Sequence, residues 1–303
     1  MPEIETQRPD FLKLWDFDDP AGSEARFRAL LVDVDPVTAT SDRAQLLSQI
    51  ARSLGLQRRW SEAHAVLDEA EDLLAGRALP VARLRCRLER GRTFDSPAHR
   101  TAEKQREAAR SCYVEVFETG RELGLHGLAL DAAHMLGIIE PAEEALAWNL
   151  RSIALAEASE DEQARAWLGA LYNNTGWAYH DRGEFARARD YFEKALAWYR
   201  VAQREQPLRI ARWCLARCLR SLGQVDEALA MQTALWREAE AAGAEASAGY
   251  TAEELGECLL ALGRDEEARP WFALAHATLS QREAWLIEAE PERMARLARL
   301  GAG

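Results

Sequence analysis

The chain has 303 residues, 48% hydrophobic and 29% charged, a balance that supplies both a packed core and a solvated surface. Its formal net charge of −12 argues against a general nucleic-acid binder and against docking on an anionic membrane face, since both need a basic surface. Glycine and proline are scarce, at 18 and 10 residues, and the abundant residues are good helix formers.

The chain opens "MPEIETQRPDFLKLWDFDDP", with no apolar run between a basic start and a small-residue cleavage site, so a signal peptide is not expected. No later window is apolar enough to span a bilayer. Five cysteines, Cys86, Cys112, Cys214, Cys218 and Cys258, form no CxxC pair and read as small core residues of a reducing compartment. The expected location is cytoplasmic.

"WDFDDP" (Trp15 to Pro20) supplies turn and cap residues and an aromatic anchor, with docking on another protein as its alternative. Residues 20–33 read as an amphipathic helix. Six helix pairs then follow, at about 44–76, 79–123, 126–158, 169–203, 209–242 and 249–280. The fourth reads Gly176, Tyr179, Gly183, Ala188, Phe192, Ala195; the sixth reads Gly256, Leu259, Gly263, Ala268, Phe272, Ala275, with the same offsets. Between them lies a copy on Ala216, Leu219, Gly223 and Ala228, 40 residues from each, with Gln232 a weaker match. Fainter copies begin at Ala51 and Ala133. The second pair is irregular, with "TFDSPAH" inserted between its helices. Residues 282–300, interrupted at Pro291, read as one or two further helices. The two end segments are expected to cap the exposed faces of the terminal pairs, which divides the chain into 1–40, 41–280 and 281–303.

This spacing resembles the tetratricopeptide repeat, with a period of 40–43 residues in place of the usual 34. The resemblance spans roughly residues 44–280. It implies an all-α, right-handed superhelical α-solenoid of about six helix pairs, with capping helices at both ends. It also implies that a small residue lies where the two helices of a pair cross. Close approach of helices favours small side chains, so Gly176 and Ala188 are expected to touch, with Tyr179, Phe192 and Leu196 as filling.

In that family the first helix of each pair lines a concave groove. Mapped by offset from the small residue, the groove positions are Asn173, Asn174, Trp177, His180 and Asp181 in the fourth pair, and Trp213, Cys214, Arg217 and Arg220 in the fifth. Asp131 and His134 come from the third, and Ser48, Gln49 and Arg52 from the first. The Arg83–Arg87–Arg90 stripe of the irregular second pair is expected to face the same way. Asparagine can hold a peptide amide, arginine can grip a carboxylate or phosphate, and tryptophan offers flat apolar area. The expected ligand is an extended protein segment, acidic or phosphorylated. Against that stands internal pairing of the arginines with Asp131, Asp181, Glu253, Glu254 and Glu257.

There is no P-loop, no GxGxxG after a strand, no HExxH and no GxSxG. His180 and Asp181 are neighbours on a helix and point about 100° apart, a poor acid–base pair. The expectation is an interaction scaffold that is not an enzyme, with no cofactor, metal, nucleic acid or membrane, and with homo-oligomerisation left open. The alternatives are an intracellular sensor enclosing a small peptide or metabolite and, third, an enzyme.

Overall fold

A computed structural model describes residue 5 and residues 10–94, 103–243, 248–283 and 285–302. Sixteen α-helices and no strand occur among them, and no helix is long and apolar enough to cross a membrane. The chain divides into two units, Met1–Trp167 and Leu168–Gly303.

The first unit begins with a 3-10 turn (Asp10–Leu14) and α1 (Pro20–Leu31). Three helix pairs follow: α2 (Thr40–Leu56) with α3 (Trp60–Leu73), α4 (Pro80–Phe94) with α5 (Glu103–Glu122), and α6 (His126–Ile139) with α7 (Ala142–Ala158). A short helix, α8 (Glu162–Ala166), closes the unit. The second helices α3 and α5 bury one stripe and leave the opposite face wet, the amphipathic pattern of a packed surface helix, whereas the first helices α2 and α4 are buried over most of their surface. In α3 the buried residues are Ala63, Leu67 and Ala70, which join Leu47, Ile50 and Leu54 of α2 and Phe27 of α1 in one core. Thus α1 covers the start of the array. Of the inserted "TFDSPAH", residues 95–99 lie outside the described residues.

The second unit contains α9 (Leu168–Asp181) with α10 (Phe185–Val201), α11 (Glu205–Ser221) with α12 (Val225–Ala241), and α13 (Ala248–Ala261) with α14 (Asp265–Arg282). Two short helices follow, α15 (Trp285–Ala289) and α16 (Pro291–Gly301), the latter with proline in its first turn as helix geometry prefers. Leu286, Met294 and Leu297 pack on Phe272, Ala275 and Leu279, so α15 and α16 cover the end of the array.

The turn inside each second-unit pair is one structure written three times. Gly183, Gly223 and Gly263 all have left-handed φ, at 74°, 80° and 71°, a conformation glycine enters without a Cβ penalty. The residue after each donates to the carbonyl five back: Glu184 to Tyr179, Gln224 to Leu219 and Arg264 to Leu259, each at 2.9 Å.

The small residues of the first helices make room for rings of the second. A Cβ on Gly176 would lie 2.6 Å from Cε1 of Phe192, so the glycine is a seat for that ring. Gly256 seats Phe272 in the same way, at 2.9 Å. Tyr179, Ala188, Phe192, Ala195, Ala268 and Phe272 are all buried.

Candidate functional site

On the second unit the first helices α9, α11 and α13 bring aromatic and basic side chains together. The rings of Trp177 and Trp213 lie 6.2 Å apart between centroids, and the Arg217 guanidinium sits over both, at 5.5 and 5.6 Å. Tyr250 of α13 extends the row, 6.4 Å from Trp213. His180 packs against Trp177 and Phe185, at 5.1 and 5.0 Å, and its Nε2 lies 2.9 Å from Ser221 Oγ. Burial, reinforced by the Arg217 charge and only partly offset by Asp181, lowers its pKa and holds the imidazole neutral. Asn173 and Asn174 lie one turn before Trp177, both partly exposed. Asn173 Oδ1 is buried without a hydrogen-bond partner, and so is Arg217 Nε.

The arginines of this face are paired. Glu254, 1% exposed, accepts two hydrogen bonds from Arg220, at 2.9 and 3.0 Å, and lies 3.4 Å from Arg217. From the capping helix α16, Arg293 holds Glu253 at 2.9 and 2.5 Å, and Arg296 holds Glu257. Asp181 alone of the expected carboxylates points into solvent, at 77% exposure.

The first unit repeats the arrangement. Arg52 of α2 lies 3.5 Å from Glu89 of α4, and Arg92 of α4 lies 2.5 Å from Asp131 of α6. Arg92 also donates to Glu89, at 2.5 Å. Burial alone would raise the Asp131 pKa, but Arg92 and Arg52 outweigh it and hold the carboxyl below its usual range. His134 stands beside Trp167, ring centroids 5.3 Å apart, and burial keeps it neutral by lowering its pKa. A cleft of about 310 Å³ opens here, lined by Leu12, Arg85, Leu128, Asp131, Gln163 and Trp167 among others.

Residues 169–200 match the family model of the tetratricopeptide repeat. This stretch is a tetratricopeptide repeat. The chain as a whole has the fold of proteins built from such repeats. It superposes on a signal transduction ATPase with numerous domains and a tetratricopeptide repeat sensor, from Pyrococcus horikoshii, with a TM-score of 0.71 and 14% identity. The match covers 92% of this chain but only 42% of that one. NprR in complex with its cognate peptide NprX gives a TM-score of 0.50 at 16% identity, covering 96% of this chain and 75% of that one. A Rap protein complexed with Competence and Sporulation Factor gives 0.50 at 15% identity, covering 97% and 89%. At these identities the likeness concerns fold. No curated protein matches the sequence.

The tetratricopeptide register explains which expected residues sit where. Numbering from the small residue, Arg52, Arg92, His134, Trp177, Arg217 and Glu257 each follow it by one, and Glu89, Asp131 and Glu254 each precede it by two. The ion pairs therefore join equivalent places in successive repeats. Arg87 is the correction. It donates to Glu115 of α5, at 2.7 Å, while its neighbours Arg83 and Arg90 reach Leu74 O at 2.8 Å and Asp68 at 2.6 Å. The stripe thus faces the second helices, away from Arg52. The small residue of the second repeat is Gly91, whose missing Cβ would lie 2.5 Å from Tyr113. The inserted segment puts Tyr113 22 residues on instead of sixteen, which hid the register. Aligning on Gly91 would have placed Arg92 and Glu89 on the first-helix face and turned Arg87 off it, because adjacent helical positions differ by about 100°.

Proposed function

We propose that this chain is a binding module and not an enzyme, and that the first-helix face of its second unit holds an extended peptide segment. The observation that carries this reading is the pair of unmet polar atoms beside the aromatic row. Buried acceptors and donors without partners are rare and costly in native structures. Both side chains are partly exposed, so a side-chain rotation would bring Asn173 Oδ1 to a peptide N–H and Arg217 Nε to a peptide C=O. Trp177, Trp213 and Tyr250 supply rigid apolar area for one of its side chains. NprR, which shares the fold, was solved in complex with its cognate peptide NprX.

Glu254 already engages Arg217 and Arg220, so this face offers aromatic area and amide pairing rather than free positive charge. That shifts the proposed ligand from an acidic or phosphorylated segment to one with an apolar or aromatic side chain. We read His180, neutral and packed between rings with Asp181 only loosely placed 3.8 Å from its Nδ1, as a structural imidazole rather than a catalytic one. Five buried free thiols fit a reducing, cytoplasmic setting.

The test is a displayed peptide library panned against the wild-type chain and against Asn173→Ala/Trp213→Ala. Neutral aromatic peptides should be enriched on the wild type and lost on the variant, with the melting curve retained. The same peptides recovered from both proteins would end the assignment.

A further inference from the structure

The "WDFDDP" stretch does more than cap α1. Asp19 does cap it, accepting from the Gly22 amide at 2.9 Å. Trp15 and Phe17 instead turn onto the first-helix face of the first unit. Trp15 Nε1 donates to Gln49 Oε1 at 2.8 Å, its ring stacks on Phe17 at 4.9 Å, and the Arg52 guanidinium lies 5.8 and 5.4 Å from the two ring centroids. Gln49 and Arg52 hold in the first repeat the places that Asn174 and Trp177 hold in the fourth. Leu12, just upstream, lines the cleft beside Arg85 and Trp167. Further up, both oxygens of Glu5 accept from the first turn of α4, Val81 N and Ala82 N, at 3.0 Å each. Ser41 Oγ donates to the same carboxylate at 3.1 Å.

These are the contacts of a bound segment: an indole hydrogen bond, an aromatic pair under a guanidinium, and a carboxylate on helix N–H groups. Their strength is uneven. Phe11, Leu14 and Trp15 rest on the first core, with Trp15 edge-on to Phe27 at 5.1 Å, whereas Phe17 is 58% exposed, the only helix among the segment's described residues is the five-residue 3-10 turn, and the cleft around Leu12 stays open. We infer that the first-helix face of the first unit is a binding site for an extended aromatic–acidic segment. Trp15 and Phe17 are its in-chain occupants, and a partner carrying two aromatic residues one apart among carboxylates displaces them. This site is separate from the one proposed on the second unit and does not depend on it.

A tethered occupant competes at an effective concentration of roughly millimolar order, so a ligand in trans binds the intact chain weakly. The probe is a fluorescein-labelled peptide of residues 10–20, followed by anisotropy against full-length proteins. Trp15→Ala/Phe17→Ala should bind it at least about tenfold more tightly than the wild type does. Adding Arg52→Ala should abolish the gain, while adding Asn173→Ala should leave it intact. Equal binding to wild type and double variant, or no binding to a double variant of native helicity, would overturn the inference. Should the double variant not fold, the wild type answers alone. Excess unlabelled peptide should speed hydrogen exchange at the Asp16 amide, which is held by Ser23 Oγ at 2.9 Å. Unchanged exchange there would count against displacement as decisively.

Discussion

Phe192 stands where a side chain on Gly176 would stand: Cε1 of the ring is 2.6 Å from the position of the missing Cβ. The same exclusion joins Gly256 to Phe272 and Gly91 to Tyr113, at 2.9 and 2.5 Å. Where the small residue is alanine, as at Ala51, Ala133 and Ala216, the residue sixteen on is Leu67, Asn149 or Gln232. Volume added on the first helix is removed from the second. Gly176→Ala should therefore cost about 1–3 kcal/mol by overpacking. Phe192→Leu should recover part of that cost in the alanine background while destabilising the glycine one. Urea unfolding of the four proteins measures the coupling. Strictly additive effects would show that the ring and the glycine are independent.

Much of this was legible in the residue spacing, because packing of a repeat is local. Gly176 meets Phe192 and Tyr179 stacks on Tyr191 within one hairpin, and so the forty-residue period marks the six helix pairs, their turns and the break before Pro291. The ion pairs were harder to read. Arg217 and Glu254 are 37 residues apart, and which arginine faces which carboxylate depends on the rotation of each first helix. A single hidden register, that of Gly91 behind the inserted segment, was enough to send attention to Arg87 and away from Arg92. The docking of Trp15 on Gln49 had no periodic signal at all, since it joins an irregular segment to a helix face. The short helix α8 likewise falls outside the repeat pattern.

Glu254 carries two guanidinium groups, and each of them carries only part of Glu254. Removing the carboxylate should thus hurt more than removing either partner. Glu254→Ala is expected to cost about 2–4 kcal/mol, toward the lower side of a broken buried pair because Arg217 and Arg220 remain partly exposed. Arg217→Ala should cost less than half of that, since the bidentate Arg220 contact survives. Chemical denaturation of both variants checks the order, and equal losses would mean that Glu254 is not the hub.

His180 and Asp131 make the two units acid-sensitive in different windows. Burial lowers the His180 pKa from its usual 6.5, so below that value the unfolded chain binds a proton that the folded chain refuses. Stability then rises with pH through this window and falls as pH drops from 6.5 toward the folded pKa. The Asp131 pKa is lowered from 3.8 by Arg92 and Arg52 against the pull of burial. Its contribution is present above that value and is lost as pH falls through the depressed folded pKa. Melting curves between pH 3 and pH 7.5 should show a shallower slope near pH 6 for His180→Gln and a flatter acid limb for Asp131→Asn. A His180→Gln profile parallel to wild type would mean that the imidazole titrates as freely in the fold as in the unfolded chain.

Arg58 occupies the turn position that glycine holds in three other repeats. Its φ is 62°, and the turn closes in the same way, with Arg59 N donating to Leu54 O at 2.9 Å. A left-handed residue with a Cβ pays about 1–2 kcal/mol against the following carbonyl. Glycine escapes that cost but loses about 0.5–1 kcal/mol through its freer unfolded chain. Arg58 is exposed, so its side chain contributes little packing to lose. Arg58→Gly should therefore stabilise the protein by roughly 0.5–1 kcal/mol. The reverse change at Gly183, where no atom lies within 4 Å of the missing Cβ, isolates the backbone effect, and Gly183→Ala should cost about as much as Arg58→Gly gains. Midpoints of urea unfolding report both. A neutral Gly183→Ala would show that the repeat turn tolerates a Cβ and that Arg58 is under no strain.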